Sequence, residues 1–405
     1  MITNINIAEF IKKHITLRPK SLLSKDLRLN RSVLAERIDG HSALVIGGAG
    51  TIGSSFIKAL LRFKPSRLVV VDTNENGLTE LTRDLRSSIG FNIPANYITY
   101  PINFGDPVFA KLLGKEGPFD IVANFAAHKH VRSEKDHYSI EAMIDNNVMR
   151  TKRLLDLLLE HPPAHFFCVS TDKAANPVNV MGASKKLMEE VLLGYSKFLP
   201  IKTARFANVA FSNGSLLAGF LQRLAKQQPF SSPLDVKRYF VSPEESGQLC
   251  LLACILGESG DIFFPKLGEE QMMTFSSIAD ALLTAIGLEP DYCQTEQEAR
   301  EKANELQVGQ KKYPVYYFPT DTSGEKLFEE FYTDEEGVQM DRFEALGVIK
   351  GKATRDEAEI SMMFKELEVL FEKEDIDKFK IVHLIKDFIP NFEHIEKGKN
   401  LDQRM

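Results

Sequence analysis

The sequence lacks the marks of membrane, secreted and nucleic-acid-binding proteins. No apolar run approaches the ~20 residues that a helix needs to cross a bilayer, and the first residues are polar and charged instead of forming the apolar stretch of a signal peptide. Basic residues are not in excess, because 50 Lys and Arg stand against 56 Asp and Glu, giving a net charge of −6 and a pI near 5.9. We therefore expect a cytoplasmic protein with no membrane and no nucleic-acid partner.

Cysteine is scarce and is not arranged for metal binding. Cys168, Cys250, Cys254 and Cys293 show no C-x-x-C spacing, and no histidine lies near them in sequence to complete a zinc shell. Cys250 and Cys254 are better explained as one face of a buried helix. No metal site is expected.

What the chain does have is an alternation of apolar and helical segments, in a composition of 43% apolar and 26% charged residues that is ordinary for a folded globular protein. Short apolar runs occur at 43–46, 67–72, 97–100, 120–125 and 165–170. Because these runs are apolar throughout and are separated by helical segments, we predict an α/β fold with a doubly wound parallel sheet. Less regular β-like runs follow at 202–209 and 261–264.

A glycine-rich turn follows the first strand directly. Gly47, Gly50 and Gly53 allow a tight turn, close approach of a pyrophosphate to the backbone and close packing of the next helix on the sheet. Thr51 and Ile52 lie in the first turn of that helix, whose N–H groups would face the phosphates. The pattern predicts a dinucleotide-binding Rossmann domain.

The second predicted strand ends on Asp72, where a carboxylate would hold the adenosine ribose hydroxyls. A carboxylate repels a 2′-phosphate, so the sequence favours NAD over NADP as the cofactor. Arg83 or Arg86 could offset that repulsion.

Four parts of the chain are predicted. Residues 1–40 form a helical N-terminal extension, and residues 41–210 form the NAD-binding Rossmann domain. Residues 211–350 form a smaller α/β substrate-binding part with segments that return to the Rossmann core, and residues 351–405 form a helical C-terminal extension.

The G-x-x-G-x-x-G spacing resembles that of the extended short-chain dehydrogenases/reductases. Residues 124–131, Asn-Phe-Ala-Ala-His-Lys-His-Val, strengthen the resemblance, because the small Ala126 would let the cofactor lie against the backbone. Asn103 stands where that family places a loop that contacts adenine. Phe104 beside it is more often a core residue.

Residues 170–186, Ser-Thr-Asp-Lys-Ala-Ala-Asn-Pro-Val-Asn-Val-Met-Gly-Ala-Ser-Lys-Lys, resemble the active-site segment of the nucleotide-sugar 4,6-dehydratases that act on N-acetylglucosamine. Lys185 is the lysine of the usual Tyr-x-x-x-Lys pair, but Met181 replaces the tyrosine. Methionine cannot ionise, so a standard tyrosine-dependent epimerase or reductase is excluded. The replacement is shared by the branch of the family that retains the C5 configuration.

The resemblance implies that hydride leaves C4 to NAD, a base takes the C5 proton, water leaves from C6 and hydride returns to C6. By the same resemblance, Lys173 is the base and Asp172 is the acid, while Thr171 could relay the C4 hydroxyl proton or Asp172 could serve twice. A desolvated lysine beside another cation would have a lowered pKa, which suits a base, and a carboxyl kept partly protonated by burial suits an acid. The alternative is an ordinary ion pair after a strand, although ligands bind at this edge of a parallel sheet.

The substrate side also resembles these dehydratases. Arg238 is expected to hold a diphosphate, Asn208 to donate to a phosphate or uracil, and Ser215 to belong to a turn that presents backbone donors. Lys129 is placed to reach the sugar or phosphate, or is simply a solvated lysine. Thr322 stands where the family has a phosphate-binding arginine, which puts more of that role on Arg238.

Together these features predict an NAD-dependent UDP-N-acetylglucosamine 4,6-dehydratase that retains the C5 configuration and supplies 6-deoxy amino sugars for a surface polysaccharide or glycan. The alternatives are a C5-inverting 4,6-dehydratase, a nucleotide-sugar 4-epimerase and, in another class, an inactive NAD-binding sensor or scaffold.

Two predicted helices, at 147–159 and 183–198, carry more apolar residues than one face of a sheet needs. Proteins of the resembled family pair these helices between subunits. We expect a homodimer or a higher homo-oligomer that takes a UDP-sugar as its substrate.

Overall fold

The structure, a computed structural model, describes residues 5–307, 309–320, 324, 326 and 328–396. The strands in this part of the chain are β1 (Ser42–Ile46), β2 (Arg67–Val71), β3 (Asn96–Tyr100), β4 (Ile121–Asn124), β5 (His165–Val169), β6 (Ile201–Ala204), β7 (Asn208–Val209), β8 (Phe230–Pro233), β9 (Lys237–Arg238), β10 (Phe240–Val241), β11 (Asp261–Pro265), β12 (Met273–Thr274), β13 (Glu289–Tyr292), β14 (Lys312–Phe318), β15 (Val338–Gln339) and β16 (Leu346–Lys350).

The α-helices in the same part are α1 (Ile7–Phe10), α2 (Ser24–Leu29), α3 (Arg31–Ile38), α4 (Thr51–Leu60), α5 (Glu75–Ser87), α6 (Pro107–Glu116), α7 (His137–Ile144), α8 (Arg150–Glu160), α9 (Val180–Tyr195), α10 (Leu216–Lys226), α11 (Pro243–Leu256), α12 (Phe275–Ala285), α13 (Glu296–Asn304), α14 (Glu357–Phe371) and α15 (Lys378–Phe388). π-Helical turns at Ile11–Ile15 and Asp145–Met149 extend α1 and join α7 to α8. Short 3₁₀ helices form at Val131–Ser133, Asp172–Ala174 and Glu269–Gln271.

The core is a nine-stranded sheet in the order β15-β16-β11-β6-β5-β4-β1-β2-β3. The strands from β11 to β3 are parallel, whereas β16 and then β15 add in antiparallel pairing at one edge. The predicted α/β fold with a doubly wound parallel sheet is therefore confirmed. The strand order reverses between β1 and β4, and ligands of such sheets bind at the carboxyl ends of the strands beside this reversal.

The apolar strands form because both faces of the sheet are covered. Along β1, Leu44 and Ile46 point to one helical layer, and Ala43 and Val45 point to the other. Alternate side chains of a strand face opposite ways, so a strand buried on both faces must be apolar throughout. Helix α11 lies in the second layer with Cys250 and Cys254 fully buried, which confirms their predicted place on a buried helix face.

The predicted strand at 202–209 is divided in two. Strand β6 ends at Ala204, and Asn208 starts β7, which pairs with β10 away from the main sheet. The division falls at Arg205, whose fully buried guanidinium bonds the carboxylates of Glu189 and Glu336. Arg205 therefore has a structural role between the sheet and the segment that contains Glu336.

A smaller α/β part lies beyond the carboxyl ends of the main strands. Its three-stranded parallel sheet has the order β13-β14-β8, and α10 and α12 pack on it with the π-helical turn after α1. Between β8 and α12 the chain returns to the main sheet through α11 and β11, and after β14 it returns again through β16. The wall opposite the parallel strands is thus built from several separate pieces of the chain.

The C-terminal helices pack on the side of the Rossmann part that carries α7, α8 and α9. They bury apolar residues of α8 and α9 in a shared core. On the Rossmann side these are Leu154, Leu155, Leu158, Leu187, Val191 and Leu192, and on the C-terminal helices they are Ile360, Met363, Phe364, Leu367, Ile381, Ile385 and Phe388. Among the described helices, none has both the length and the apolar character that crossing a bilayer would require.

Candidate active site

The glycine-rich turn has the backbone geometry that its sequence predicts. Gly47 adopts a φ of +75°, and a Cβ atom there would lie 2.5 Å from the backbone nitrogen of Ala126. A Cβ atom on Gly53 would lie 2.3 Å from the carbonyl oxygen of Gly47. No side chain fits at either position, so the turn stays open for a ligand to approach the backbone.

Asp72 lies beside this turn at the end of β2. One carboxylate oxygen accepts the Ala49 N–H at 2.9 Å, and the other accepts the Asn74 N–H at 2.9 Å. These bonds fix the carboxylate at the rim of a cavity of about 330 Å³, which we call the first cavity. Of the residues predicted to bind the cofactor, the first cavity is lined by Gly47, Gly50, Asp72, Asn103 and Ala126.

Other residues predicted to bind the cofactor lie away from that wall. Thr51 accepts the backbone N–H of Asn213 at 2.9 Å, and Ile52 packs against apolar core residues. The sequence did not single out Asn74, His128 or Asn146, which also line the first cavity. His128 is held by Asn147, which bonds both the backbone N–H and the carbonyl of His128.

The turn after β5 brings three predicted catalytic residues together. Thr171 caps the 3₁₀ helix Asp172–Ala174, and its hydroxyl donates to Asp172 Oδ1 at 2.9 Å. Asp172 is buried, and its Oδ1 also accepts from Lys173 Nζ at 3.0 Å. The carboxylate and the ammonium thus form a direct pair at the carboxyl edge of the sheet.

The expected lowering of the Lys173 pKa is wrong. Burial favours the neutral amine, but attraction to Asp172 and Glu329 outweighs it and raises the pKa of Lys173. Glu329 Oε1 lies 3.3 Å from Lys173 Nζ and 3.7 Å from Arg238 Nη2. Glu329 is only 5% exposed. Sequence reasoning missed it, because no local pattern indicates that a second carboxylate reaches Lys173.

Met181 and Lys185 lie behind this turn. Met181 is 3% exposed and packs within the apolar core that α7, α8 and α9 share. Lys185 is 3% exposed, and its ammonium donates to the Val169 carbonyl at 3.0 Å. Burial beside this neutral acceptor lowers the pKa of Lys185. Neither residue lines the first cavity or the larger one described next.

A second cavity of about 530 Å³ opens beside Lys173. It is lined by the four residues predicted to bind substrate, namely Lys129, Asn208, Ser215 and Arg238. Lys129 is exposed at its mouth, yet the surrounding walls desolvate the ammonium and lower the pKa of Lys129. Ser215 caps the N-terminus of α10, accepting the Ala218 N–H at 3.2 Å. Thr322 lies outside the described residues.

The two cavities adjoin along two segments. Residues 126–128 line the first cavity and residues 129–131 line the second, while Asn213 lines the first and Ser215 the second. A ligand in one cavity therefore lies next to a ligand in the other.

Ser231 and Ser232 on β8 are further residues of the second cavity that the sequence did not indicate. Both hydroxyls are buried and have no hydrogen-bond partner within the described part of the chain. Buried hydroxyl groups without a partner are costly, so they point to a polar ligand on this wall.

Within the described ranges, metal-ligand side chains converge at one place, where Glu134, His394 and Glu396 meet. Lys378 Nζ lies 3.3 Å from Glu134 Oε1 and 2.5 Å from Glu396 Oε2, so an ammonium already supplies the positive charge there.

The fold and the first cavity define an α/β dinucleotide-binding protein, and the second cavity lies beside the Asp172–Lys173 pair. Residues 43–350 match the family model described as polysaccharide biosynthesis protein, and the chain belongs to that family. The predicted resemblance to the extended short-chain dehydrogenases/reductases is confirmed.

Three known proteins illustrate the likeness. An uncharacterized membrane protein of Methanocaldococcus jannaschii is 29% identical over 313 residues, covering 76% of this chain and 84% of that protein. A UDP-N-acetylglucosamine 4,6-dehydratase (inverting) of Campylobacter jejuni is 26% identical over 312 residues, covering 75% and 85%. The solved structure of Pen from Bacillus thuringiensis, 20% identical, superposes with a TM-score of 0.62 over 82% of this chain and 99% of that one, which is a likeness of fold.

Proposed function

We propose that the protein is an NAD-dependent nucleotide-sugar 4,6-dehydratase, acting on UDP-N-acetylglucosamine with retention at C5. The observation that carries the proposal is the Asp172–Lys173 pair at the carboxyl end of β5. Lys173 lines the second cavity together with other basic residues, and Asp172 is buried beside it. A 4,6-dehydration needs one group that takes a proton from C5 and one that gives a proton to the departing C6 hydroxyl.

NAD fits the first cavity. The turn at Gly47 offers bare backbone to a pyrophosphate, and the Asp72 carboxylate suits free ribose hydroxyls and repels a 2′-phosphate. Bound there, NAD would supply the hydride acceptor for C4 and the hydride donor for C6. By the resemblance, Thr171 relays the C4 hydroxyl proton or Asp172 serves twice, and Lys173 returns the proton to C5 when hydride reaches C6.

The Asp172–Lys173 pair can move both protons of the dehydration. Transfer of one proton from the Lys173 ammonium to the Asp172 carboxylate, across 3.0 Å, yields a neutral amine and a carboxylic acid. The amine then takes the C5 proton, and the acid protonates the C6 hydroxyl as it leaves as water. The pair ends as ammonium and carboxylate, so the enzyme gains and loses no proton in the step.

The second cavity suits a nucleoside diphosphate. Four basic residues line it, against Glu329 as the one carboxylate among its described lining residues. The basic residues are Lys129, Lys173, Arg223 and Arg238. The N-terminus of α10 at Ser215 faces the same space and favours an anion. The hydroxyls of Ser231 and Ser232 are available for polar groups of the nucleoside.

The test is incubation with a panel of nucleotide-sugars, with mass spectrometry of the products. We expect UDP-N-acetylglucosamine to give a product lighter by one water. Lys173→Ala and Asp172→Asn should each lower turnover by about 10²–10⁴ while NAD binding is kept, and Lys197→Ala, at an exposed lysine, should change neither. A 4-epimer without water loss, or no conversion of any sugar, would contradict the proposal.

The second candidate is the C5-inverting dehydratase. It is favoured by the likeness to the Campylobacter jejuni relative, which is named as an inverting enzyme. Retention is favoured by the resemblance at Met181, which stands where the standard family members have a tyrosine. The reaction is run in D₂O, and NMR of the product gives the configuration at the deuterated C5. The configuration of the substrate identifies the retaining enzyme, and the opposite configuration identifies the inverting one.

A further inference from the structure

The C-terminal extension does more than cover a helical face, because its last described residues run along the loop that follows the Asp172–Lys173 pair. We call residues 391–395 the C-terminal strap. The Glu393 N–H donates to the Pro177 carbonyl at 3.1 Å, and the Ile395 N–H donates to the Val178 carbonyl at 3.0 Å. Phe392 anchors the strap in the core between α9 and the C-terminal helices.

Side chains add to these backbone bonds. Asn391 Nδ2 donates to the Ala175 carbonyl at 3.4 Å, and the Ile395 carbonyl accepts the Gly324 N–H at 3.1 Å. Asn179 Nδ2, at the start of α9, donates to the Gly324 carbonyl at 2.8 Å. The loop between the acid–base pair and α9 is thus held from outside along its length.

Glu134 joins the C-terminal strap to the start of α9. Its Oε2 accepts the Val180 N–H, in the first turn of α9, at 2.7 Å. Its Oε1 contacts His394 Nε2 of the strap and lies 3.3 Å from Lys378 Nζ of α15. Glu134 follows the 3₁₀ helix that begins at Val131, a residue of the second-cavity wall.

We infer that the C-terminal strap and Glu134 position the Asp172–Lys173 pair, with Glu134 and His394 as positioning residues for the reaction. The inference rests on the proposed function, because kcat is measured for the proposed reaction. The contacts of the strap do not depend on that function. Residues 175–179 have no regular structure of their own, and their carbonyls at 175, 177 and 178 are bonded by the strap. Loss of these bonds frees the turn to move, and displacement of about 1 Å at an acid–base group is enough to slow chemistry strongly.

The first experiment compares variants of the full-length protein at Glu134. Glu134→Ala removes the acceptor for the Val180 N–H and the partner of His394. We expect kcat to fall by on the order of ten- to a hundredfold, while KM for the nucleotide-sugar and the affinity for NAD change by less than about threefold. Glu134→Gln keeps an oxygen for the Val180 N–H and should recover most of the loss.

Variants in the strap provide a milder test and a matched control. His394→Ala and Asn391→Ala should each lower kcat by about three- to tenfold. Glu393→Ala, whose exposed side chain lies in the same strap while its backbone bond is kept, should leave kcat unchanged.

A second measurement separates this inference from the proposed reaction. Hydrogen–deuterium exchange of the peptide that covers residues 174–182 should be faster in Glu134→Ala and Asn391→Ala than in the wild type and in Glu393→Ala. Faster exchange in a protein with no dehydratase activity would leave the strap contacts in place and overturn the proposed function alone. Unchanged exchange and unchanged kcat in Glu134→Ala and His394→Ala would overturn the positioning role.

Discussion

At the scale of single residues, the environment of Lys173 decides how the proposed chemistry depends on pH. Asp172 and Glu329 both lie within 3.3 Å of its ammonium, and their charges raise the Lys173 pKa against the effect of burial. Since only the neutral amine can take a proton, the two carboxylates hold the base in its inactive form until one of them accepts its proton. Asp172 is the partner proposed for that transfer, whereas Glu329 stabilises the Lys173 ammonium and so opposes the transfer.

Removing the Glu329 carboxylate should make the Lys173 ammonium easier to deprotonate. In Glu329→Gln the ammonium loses one stabilising charge, so the Lys173 pKa falls and the amine forms at lower pH. We expect the rising limb of kcat/KM against pH to move to lower pH. Glu330→Gln, at an exposed neighbouring carboxylate, is the control. A limb that stays in place in Glu329→Gln would exclude Lys173 as the group that titrates there.

His165 links pH to stability outside the site. Desolvation by burial, with repulsion from Lys202 and Arg37, lowers the pKa of His165 from 6.5 to about 4. Its buried Nδ1 has no hydrogen-bond partner among the described residues, as suits a neutral ring. Between pH 6.5 and 4 the unfolded chain therefore binds more protons than the folded one, so stability is lost as pH falls below 6.5.

The pH dependence of unfolding checks this residue. His165→Gln removes the titration, so its loss of unfolding free energy between about pH 7.5 and pH 5 should be smaller than that of the wild type by about 2 kcal/mol. Chemical denaturation at both pH values gives the difference. His161→Gln, at an exposed histidine, should follow the wild-type slope, and a His165→Gln protein with the same slope would refute the assignment.

At the scale of elements, the parallel strands could be predicted because each depends on its own residues. Five apolar runs predicted β1 to β5 within a residue or two. A strand buried on both faces must be apolar throughout, which applies to β1, β2, β4 and β5, whereas β3 lies at the edge of the sheet and is only partly buried. The glycine-rich turn was predictable for a similar reason, because its backbone conformation and close contacts exclude any residue but glycine at positions 47 and 53. Glu329 and the C-terminal strap were not, because their contacts with the 172–180 segment join residues far apart in the chain and need no sequence pattern.

Helix α9 carries two glycines that serve different contacts. A Cβ atom on Gly182 would lie 2.5 Å from the carbonyl oxygen of Lys173, which is backbone and cannot move aside. A Cβ atom on Gly194 would lie 2.4 Å from Cδ1 of Ile360, the mobile end of a side chain on α14. The start of α9 is therefore fitted to the turn that carries the acid–base pair, whereas its end is fitted to a side chain that can adjust.

The same added methyl group should have unequal effects at these positions. Gly182→Ala must displace the Lys173 backbone, so we expect a loss of about 1–3 kcal/mol of stability together with a lower kcat. Gly194→Ala displaces only a methyl group and gains up to about 1 kcal/mol of helix propensity, so its stability and kcat should stay near the wild type. Thermal or chemical unfolding with steady-state rates measures both. Equal effects of the two substitutions would contradict the fit of α9 to the turn.

At the scale of the whole molecule, the C-terminal helices bear on the prediction that the protein is an oligomer. The surplus of apolar residues on α8 and α9 led to the expectation of a homodimer or higher oligomer. Those residues belong to one core with α14 and α15, and both of these helices contact α9, so the apolar surplus of α9 has a partner within the chain. The oligomeric state itself stays a prediction, and the apolar residues of α9 are accounted for without a second copy.

We therefore expect that α8 and α9 form no interface between copies of the full-length chain. Leu159 on α8 is 41% exposed, and Val369 on α14 is 48% exposed. An arginine at either position should therefore disturb contacts with another copy of the chain and leave the internal packing unchanged. Light scattering at micromolar concentration should give the same mass for the wild type and for Leu159→Arg, whether that mass is one chain of 45.6 kDa or a multiple of it. Val369→Arg is the matched control on the helix that covers the face. If Leu159→Arg lowered the mass of an oligomer to that of one chain while Val369→Arg left it intact, α8 would be part of a subunit interface, and the covering by α14 and α15 would not describe the protein in solution.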